Sequence, residues 1–216
     1  MSGSGRLPEG GRDGVHDFGR WISRVPLRLG YRVRVHHADR VPTTGPVVVV
    51  ANHSSLADGP LLFGIVPRRT VFLIKNEMFR GPVGRFLRRL GQLPVRRGEP
   101  DRAPLIAAQK VLRAGGVVGV FPEGTRGSGD VAEAQKGAAW LARSTGALVV
   151  PVACRGTRRP AGTGRRFRPK VDVLFGEAFE LPADKGRQAL VAATEHVRDR
   201  LAMLVAELDD QRGEGS

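Results

Sequence analysis

PVVVVA (Pro46–Ala51) runs directly into NHSSLAD (Asn52–Asp58), and the fold is read outward from this junction. Four consecutive valines between a proline and a polar cluster predict a short β-strand buried on both faces, because a strand with one wet face would alternate. Such strands belong to parallel sheets covered by helices on both sides. Polar residues that follow one directly lie in the loop at its carboxyl end, where open α/β sheets gather their active sites.

The flanking sequence fits that plan. Tyr31–His36 alternates as a strand, and Thr70–Lys75 (TVFLIK) is another, followed by a helix near Val83–Leu90. Arg102–Ala114 reads as a helix stopped by Gly115 and Gly116. Val117–Phe121 is a buried strand, Lys136–Thr145 a helix ended by Gly146, and Ala147–Ala153 and Lys170–Phe175 are further strands. A last helix over about 186–208 sets Leu190, Val197, Leu201, Val205 and Leu208 on one face. Strands and helices alternating at these lengths predict a single α/β domain over 31–209, with a central, largely parallel or mixed sheet flanked by helices. Residues 1–14, rich in glycine, serine and charge, and 210–216 are expected as disordered tails.

Residues 15–30 form a basic amphipathic segment. Phe18, Ile22, Val25 and Leu29 recur at helical spacing, with Arg20, Arg24 and Arg28 on the other side. Gly19 and Pro26 weaken it as one continuous helix. Two readings are open: the stripe lies on an anionic membrane, or it packs on its own domain with the arginines in water.

Composition narrows the function. With 41% hydrophobic and 26% charged residues, the chain is globular. A net charge of +14 calls for an anionic partner, which is nucleic acid, membrane or a phosphorylated small molecule. Aromatic residues are only 6%, too few for the stacking platforms of single-strand readers, and no nucleic-acid signature appears. One cysteine, Cys154, excludes an internal disulfide and a thiolate metal cage. It falls in an apolar strand, where cysteine acts as an inert hydrophobe. No H-E-x-x-H or comparable spacing provides a metal site. No apolar run is long enough to span a bilayer, and MSGSGRLPEGGRDG has no apolar core of a secretory signal. A cytoplasmic protein, peripherally associated with the inner face of the membrane, is expected.

Three polar loops follow buried strands: Asn52–Asp58, Lys75–Glu77 and Pro122–Arg126. In the first, His53 and Asp58 can face each other if a helix starts between them, with Ser54 or Ser55 as its cap. Imidazole is suited to accept a proton near neutral pH, and a carboxylate on its far nitrogen fixes the tautomer. The plainer reading makes His53 a helix cap and Asp58 a surface acid. In FPEGTR (121–126), Gly124 permits a tight turn, Arg126 offers a planar fork to phosphate oxygens, and Glu123 can hold that arginine. The plainer reading there is a turn with a surface ion pair. No G-x-S-x-G elbow supplies a nucleophile.

Together the loops resemble the glycerolipid, or lysophosphatidic acid, acyltransferase family. NHSSLAD is followed by FPEGTR, with Glu123 seventy residues beyond His53. KNEMFRGPVGRFLRRLGQLPVRR (75–97) looks like the family's second block through Lys75, Glu77, Pro82, Gly84, Gly91 and the arginines after a short strand. Lys136-Gly137 and Val150-Pro151-Val152 match its remaining landmarks. Two departures stand out. Gly127 replaces a frequent serine, and the membrane-spanning helices that many members carry are missing, which suggests a peripheral enzyme. Residues 155–170, with seven cations and no acid, do not align.

The resemblance implies a mechanism and a site. His53 takes the proton of an acceptor hydroxyl, which attacks the thioester of acyl-CoA or acyl-carrier protein, while Asp58 orients His53. Glu123, Gly124, Thr125 and Arg126, with Arg96, Arg97 and Lys75, bind the phosphate-bearing acceptor, 1-acyl-sn-glycerol-3-phosphate, to give phosphatidic acid for phospholipid synthesis. No cofactor or metal is needed. Amides near Ser54 are expected to stabilise the oxyanion. Expected partners are the lysolipid, the acyl thioester, an anionic membrane surface and acyl-carrier protein, with no specific nucleic acid. Alternative acceptors are another lysophospholipid or a lyso-ornithine lipid. A non-catalytic membrane or nucleic-acid binder is the remaining alternative.

Overall fold

The computed structural model describes residues 7–96, 102–122, 128–158, 167–184 and 186–213, with main chain alone for 26–28 and 128–135. Seven strands, β1 (Arg32–His36), β2 (Val47–Ala51), β3 (Thr70–Lys75), β4 (Leu93–Val95), β5 (Val117–Val120), β6 (Leu148–Arg155) and β7 (Lys170–Phe175), form one sheet in the order β1-β7-β6-β2-β5-β3-β4. β6, β2, β5, β3 and β4 run parallel. β7 is antiparallel to β6 and carries β1 parallel to itself. The result is the α/β architecture that the apolar runs predict.

β2 lies in the middle and every residue of it is buried. Val47, Val49 and Ala51 pack with α2 (Asp58–Ile65), and Val48 and Val50 face α4 (Ala103–Arg113), α5 (Ser128–Thr145) and α6 (Arg187–Gly213). Helices on both faces explain why this strand has no polar alternation. The carboxyl ends of five parallel strands therefore meet along one sheet edge, together with the amino ends of β7 and β1. That edge carries the polar loops.

Several boundaries differ from the sequence reading. α5 begins eight residues before Lys136. β4 contains Pro94 and survives because it is an edge strand. α1 (Asp13–Gly30) is one helix through Gly19 and Pro26. It begins inside the stretch expected as a tail, and residues ahead of it are also placed: the Arg12 amide donates to the Arg89 carbonyl at 2.9 Å, at the end of α3 (Gly81–Arg89). α6 likewise runs past 209 to Gly213.

The orientation of α1 bears on the second of its two readings, in which the arginines lie in water. Arg20 donates to the Val66 carbonyl and Arg24 to the Gly64 carbonyl at 2.6 Å, so both arginines turn toward α2. Phe18, Trp21, Ile22, Val25 and Leu29 are left 40–70% exposed. The helix docks through Val15, His16, Gly19 and the two arginines, and turns its Phe18–Leu29 apolar stripe outward. No described helix is long and apolar enough to cross a membrane.

Candidate active site

Where β2 ends, the chain turns out of the sheet. Asn52 makes that departure possible: its side-chain amide donates to the Cys154 carbonyl at 3.0 Å and accepts from the Cys154 amide at 2.7 Å. The side chain thus takes over the β2–β6 pairing after Ala51, and the main chain is free to bend.

His53 follows at once. Its Nδ1 lies 3.3 Å from Asp58 Oδ2, with the His53 side chain 21% exposed and that of Asp58 fully buried. The contact is longer and less aligned than an ideal hydrogen bond, as acid–base pairs often are without substrate. The pairing does not arise from a helix starting between the two residues. α2 begins at Asp58 itself, and residues 54–57 form a turn organised by the carboxylate: Oδ2 accepts from the Ser54 and Ser55 amides, each at 2.7 Å. Neither serine caps α2, although Ser55 Oγ accepts from the Ala57 amide at 3.2 Å. Both amides are committed to Asp58, so neither is free for an oxyanion.

The carboxylate is well served. Burial pushes the Asp58 pKa up, but hydrogen bonds from His53, Thr157, Ser55 and Ser54 outweigh it and hold the group below the ordinary aspartate value. Asp58 therefore stays anionic and can stabilise an imidazolium. Cys154 lies behind it, with Sγ 3.6 Å from Asp58 Oδ1. Burial first, then the Asp58 charge, pushes the thiol far above its usual range, so it remains a protonated donor and not a nucleophile.

Phe121 joins the second motif to the first. It follows β5, the neighbour of β2, and its ring lies 4.6 Å from the His53 ring and 5.5 Å from Phe72. Gly119 admits this stack: a Cβ there would meet the Phe72 ring at 2.3 Å. The segment that continues into Glu123 thus sets out from the histidine. Glu123, Gly124, Thr125 and Arg126 lie outside the described residues, as does Arg97. Lys75 ends β3 on the same edge and pairs with Glu77 at 3.2 Å, both half exposed. Arg96 follows β4 on that edge and is exposed.

Sequence reasoning left out Asn52, Phe121 and Thr157 as positioning groups. Thr157, whose hydroxyl lies 3.3 Å from that of Ser54, comes from the β6–β7 connection. It is set by Gly156 at φ +91°, where a Cβ would strike the Lys170 carbonyl oxygen at 2.1 Å. Gly156 next to a buried-strand end was the available signal.

A buried carboxylate against a half-shielded imidazole can supply a general base, and the thiol beside them is unreactive, an arrangement suited to an already activated donor. The comparisons agree. A family model described as Acyltransferase matches residues 32–155. The 1-acyl-sn-glycerol-3-phosphate acyltransferase of Bacillus subtilis (strain 168) is 31% identical over 195 residues, 86% of this chain and 94% of that protein. The human 1-acyl-sn-glycerol-3-phosphate acyltransferase beta is 31% identical over 153 residues, 68% of this chain and 55% of its own. In three dimensions the chain is similar to the crystal structure of the 1-acyl-sn-glycerophosphate (LPA) acyltransferase PlsC from Thermotoga maritima. The TM-score is 0.67 at 30% identity, over 91% of this chain and 78% of that one. The chain belongs to the acyltransferase family, and it is an acyl-transferring enzyme.

Proposed function

We propose that the protein moves a fatty acyl group from acyl-CoA or acyl-carrier protein to the free hydroxyl of 1-acyl-sn-glycerol-3-phosphate, giving phosphatidic acid. The observation that carries the reading is the 3.3 Å approach of His53 Nδ1 to the buried Asp58 carboxylate, which leaves Nε2 for the substrate. Nε2 takes the hydroxyl proton while the hydroxyl oxygen attacks the thioester carbonyl. The tetrahedral intermediate collapses, the C–S bond breaks, and the leaving thiolate takes the proton from the imidazolium. Nothing is oxidised or reduced, and no acyl-enzyme forms.

Arg126 binds the acceptor phosphate together with Glu123, and Arg96, Arg97 and Lys75 contribute further positive charge. Support comes from Phe121, which packs on His53 five residues before Arg126. A guanidinium fork suits a phosphate dianion through paired, charge-assisted bonds. The enzyme works at a membrane surface, with the apolar stripe of α1 on the bilayer; Leu56, in the turn between His53 and Asp58, is 82% exposed and extends that apolar character to the site.

A mixture of lysolipids offered with labelled acyl-CoA tests the acceptor. The expected product is phosphatidic acid, reduced at least tenfold in Arg126→Ala. Preferential acylation of a lysolipid without a phosphomonoester, or full activity in Arg126→Ala, would contradict it.

A further inference from the structure

The sheet edge that carries His53 continues past β6 into a polar feature that acyl transfer, as described above, leaves unused. β1 and β7 pair in parallel at the end of the sheet, with Arg34 opposite Asp172. The end of α6 closes over them. Between the three lies a cavity of about 130 Å³ lined by Arg34, His36, Lys170, Asp172, Gln211 and Arg212.

Its charges do not balance. Three permanent cations, Arg34, Lys170 and Arg212, surround the single carboxylate of Asp172. That carboxylate, 7% exposed, accepts from Arg212 Nη1 through Oδ2, and Oδ1 lies 3.9 Å from His36 Nε2. Asp172 is thus occupied in fixing Arg212 and His36. Among the described residues Arg34 and Lys170 form no ion pair. Cations held around a cavity beyond what its one acid neutralises attract an anion, and phosphate oxygens fit the arginine and lysine donors.

Position narrows the ligand. The Lys170 carbonyl abuts Gly156, and the next residue, Thr157, reaches Ser54 in the catalytic turn. The Gly156–Thr157 turn thus links the rim of the cavity, on the α6 face of the sheet, to the His53–Asp58 pair on the α2 face. Counted across the sheet, β7 is two strands from β2, about 10 Å, and β1 is three strands away, about 14 Å. A CoA thioester carries its phosphates at the far end of the pantetheine arm, so they must be held at a remove from the carbonyl under attack.

We propose that this cavity is a second anion site for a phosphate-bearing ligand, and that the phosphates of a CoA thioester donor are what it holds. The assignment rests on the acyl-transfer reading. The same phosphate chemistry is offered by anionic lipid headgroups, and the test separates the two sources.

The full-length protein and its Arg34→Ala/Lys170→Ala double variant are titrated calorimetrically with free CoA, without an acceptor. Both are also floated with phosphatidylglycerol vesicles. Losing two charge-assisted contacts should raise the Kd for CoA about tenfold or more. Vesicle binding should stay the same, and KM for acyl-CoA should rise while kcat is kept. No CoA binding by the wild type, or an equal Kd in the variant, overturns the proposal. Vesicle binding lost with CoA binding intact overturns the donor assignment and gives the cavity to lipid headgroups. Because CoA binding is read without turnover, His53→Ala should retain it. A failure of the acyl-transfer reading appears separately, as undiminished turnover in His53→Ala.

Discussion

Asn52 and Cys154 stand 102 residues apart in the chain, yet the Asn52 amide group makes both hydrogen bonds that a strand neighbour would make to the Cys154 main chain. The turn that holds His53 and Asp58 hangs from this join, because His53 is the next residue. Truncation in Asn52→Ala leaves a buried amide and a buried carbonyl without partners. The cost is about 2–4 kcal/mol, on the scale of an unsatisfied buried group for each. Thermal unfolding should show a Tm lower by on the order of 10 °C, with kcat reduced in the protein that remains folded. A variant with native Tm and native kcat would remove Asn52 from the account.

Cys154 offers a check on the absence of a covalent intermediate. Its thiol is buried and pushed toward the protonated form, against the Asp58 carboxylate. Cys154→Ala should keep kcat within several-fold of wild type, and iodoacetamide should not label the native protein. Rapid labelling, or loss of turnover comparable to that of a histidine variant, would mean that the sulfur takes part.

His16 links stability to pH. It is fully buried, donates Nδ1–H to the Leu90 carbonyl at 2.7 Å, and among the described residues has no hydrogen-bond partner for Nε2. Desolvation, with the Arg20 and Arg69 charges adding to it, lowers its pKa below 6.5 despite the opposing Leu90 hydrogen bond and Asp17 charge. Below pH 6.5 the unfolded chain therefore binds a proton that the folded chain refuses. The neutral imidazole's full contribution is present above that pH and is lost as pH falls from 6.5 toward the folded value. Urea midpoints taken at pH 7.5 and 5.5 should fall more in the wild type than in His16→Gln, which keeps a donor for Leu90 and does not titrate. Equal slopes would show that the imidazole takes up its proton alike in the folded and unfolded states.

The outward stripe of α1 predicts membrane attachment. Phe18 and Trp21 are 54% and 61% exposed, and their rings stack at 6.1 Å. Because neither holds the fold together, Phe18→Asp and Trp21→Asp should leave Tm unchanged while weakening binding to anionic vesicles about tenfold or more each, the scale of a lost buried aromatic. Undiminished flotation in the double variant would take α1 off the bilayer.

The sheet was legible in the sequence because apolar runs are local signals: VVVVA and TVFLIK became β2 and β3, the latter over the same residues that the sequence predicts. The pairing of His53 with Asp58 was legible as spacing, but its cause was not. A carboxylate that gathers two main-chain amides builds a turn where the pattern suggested a helix start. Amphipathicity marked the α1 stripe without saying which way it faced. That depended on Arg20 and Arg24 finding carbonyls at the end of α2, a tertiary fact. The Phe121–His53 contact and the Thr157–Ser54 contact join segments far apart in the chain, and no periodicity reports them.

The turnover of His53→Ala tests the account most directly, measured with saturating lysophosphatidic acid and acyl-CoA on protein shown to keep its Tm. Loss of the positioned base should lower kcat by at least ~10²–10⁴-fold. A folded His53→Ala enzyme that turns over as fast as the wild type would contradict it.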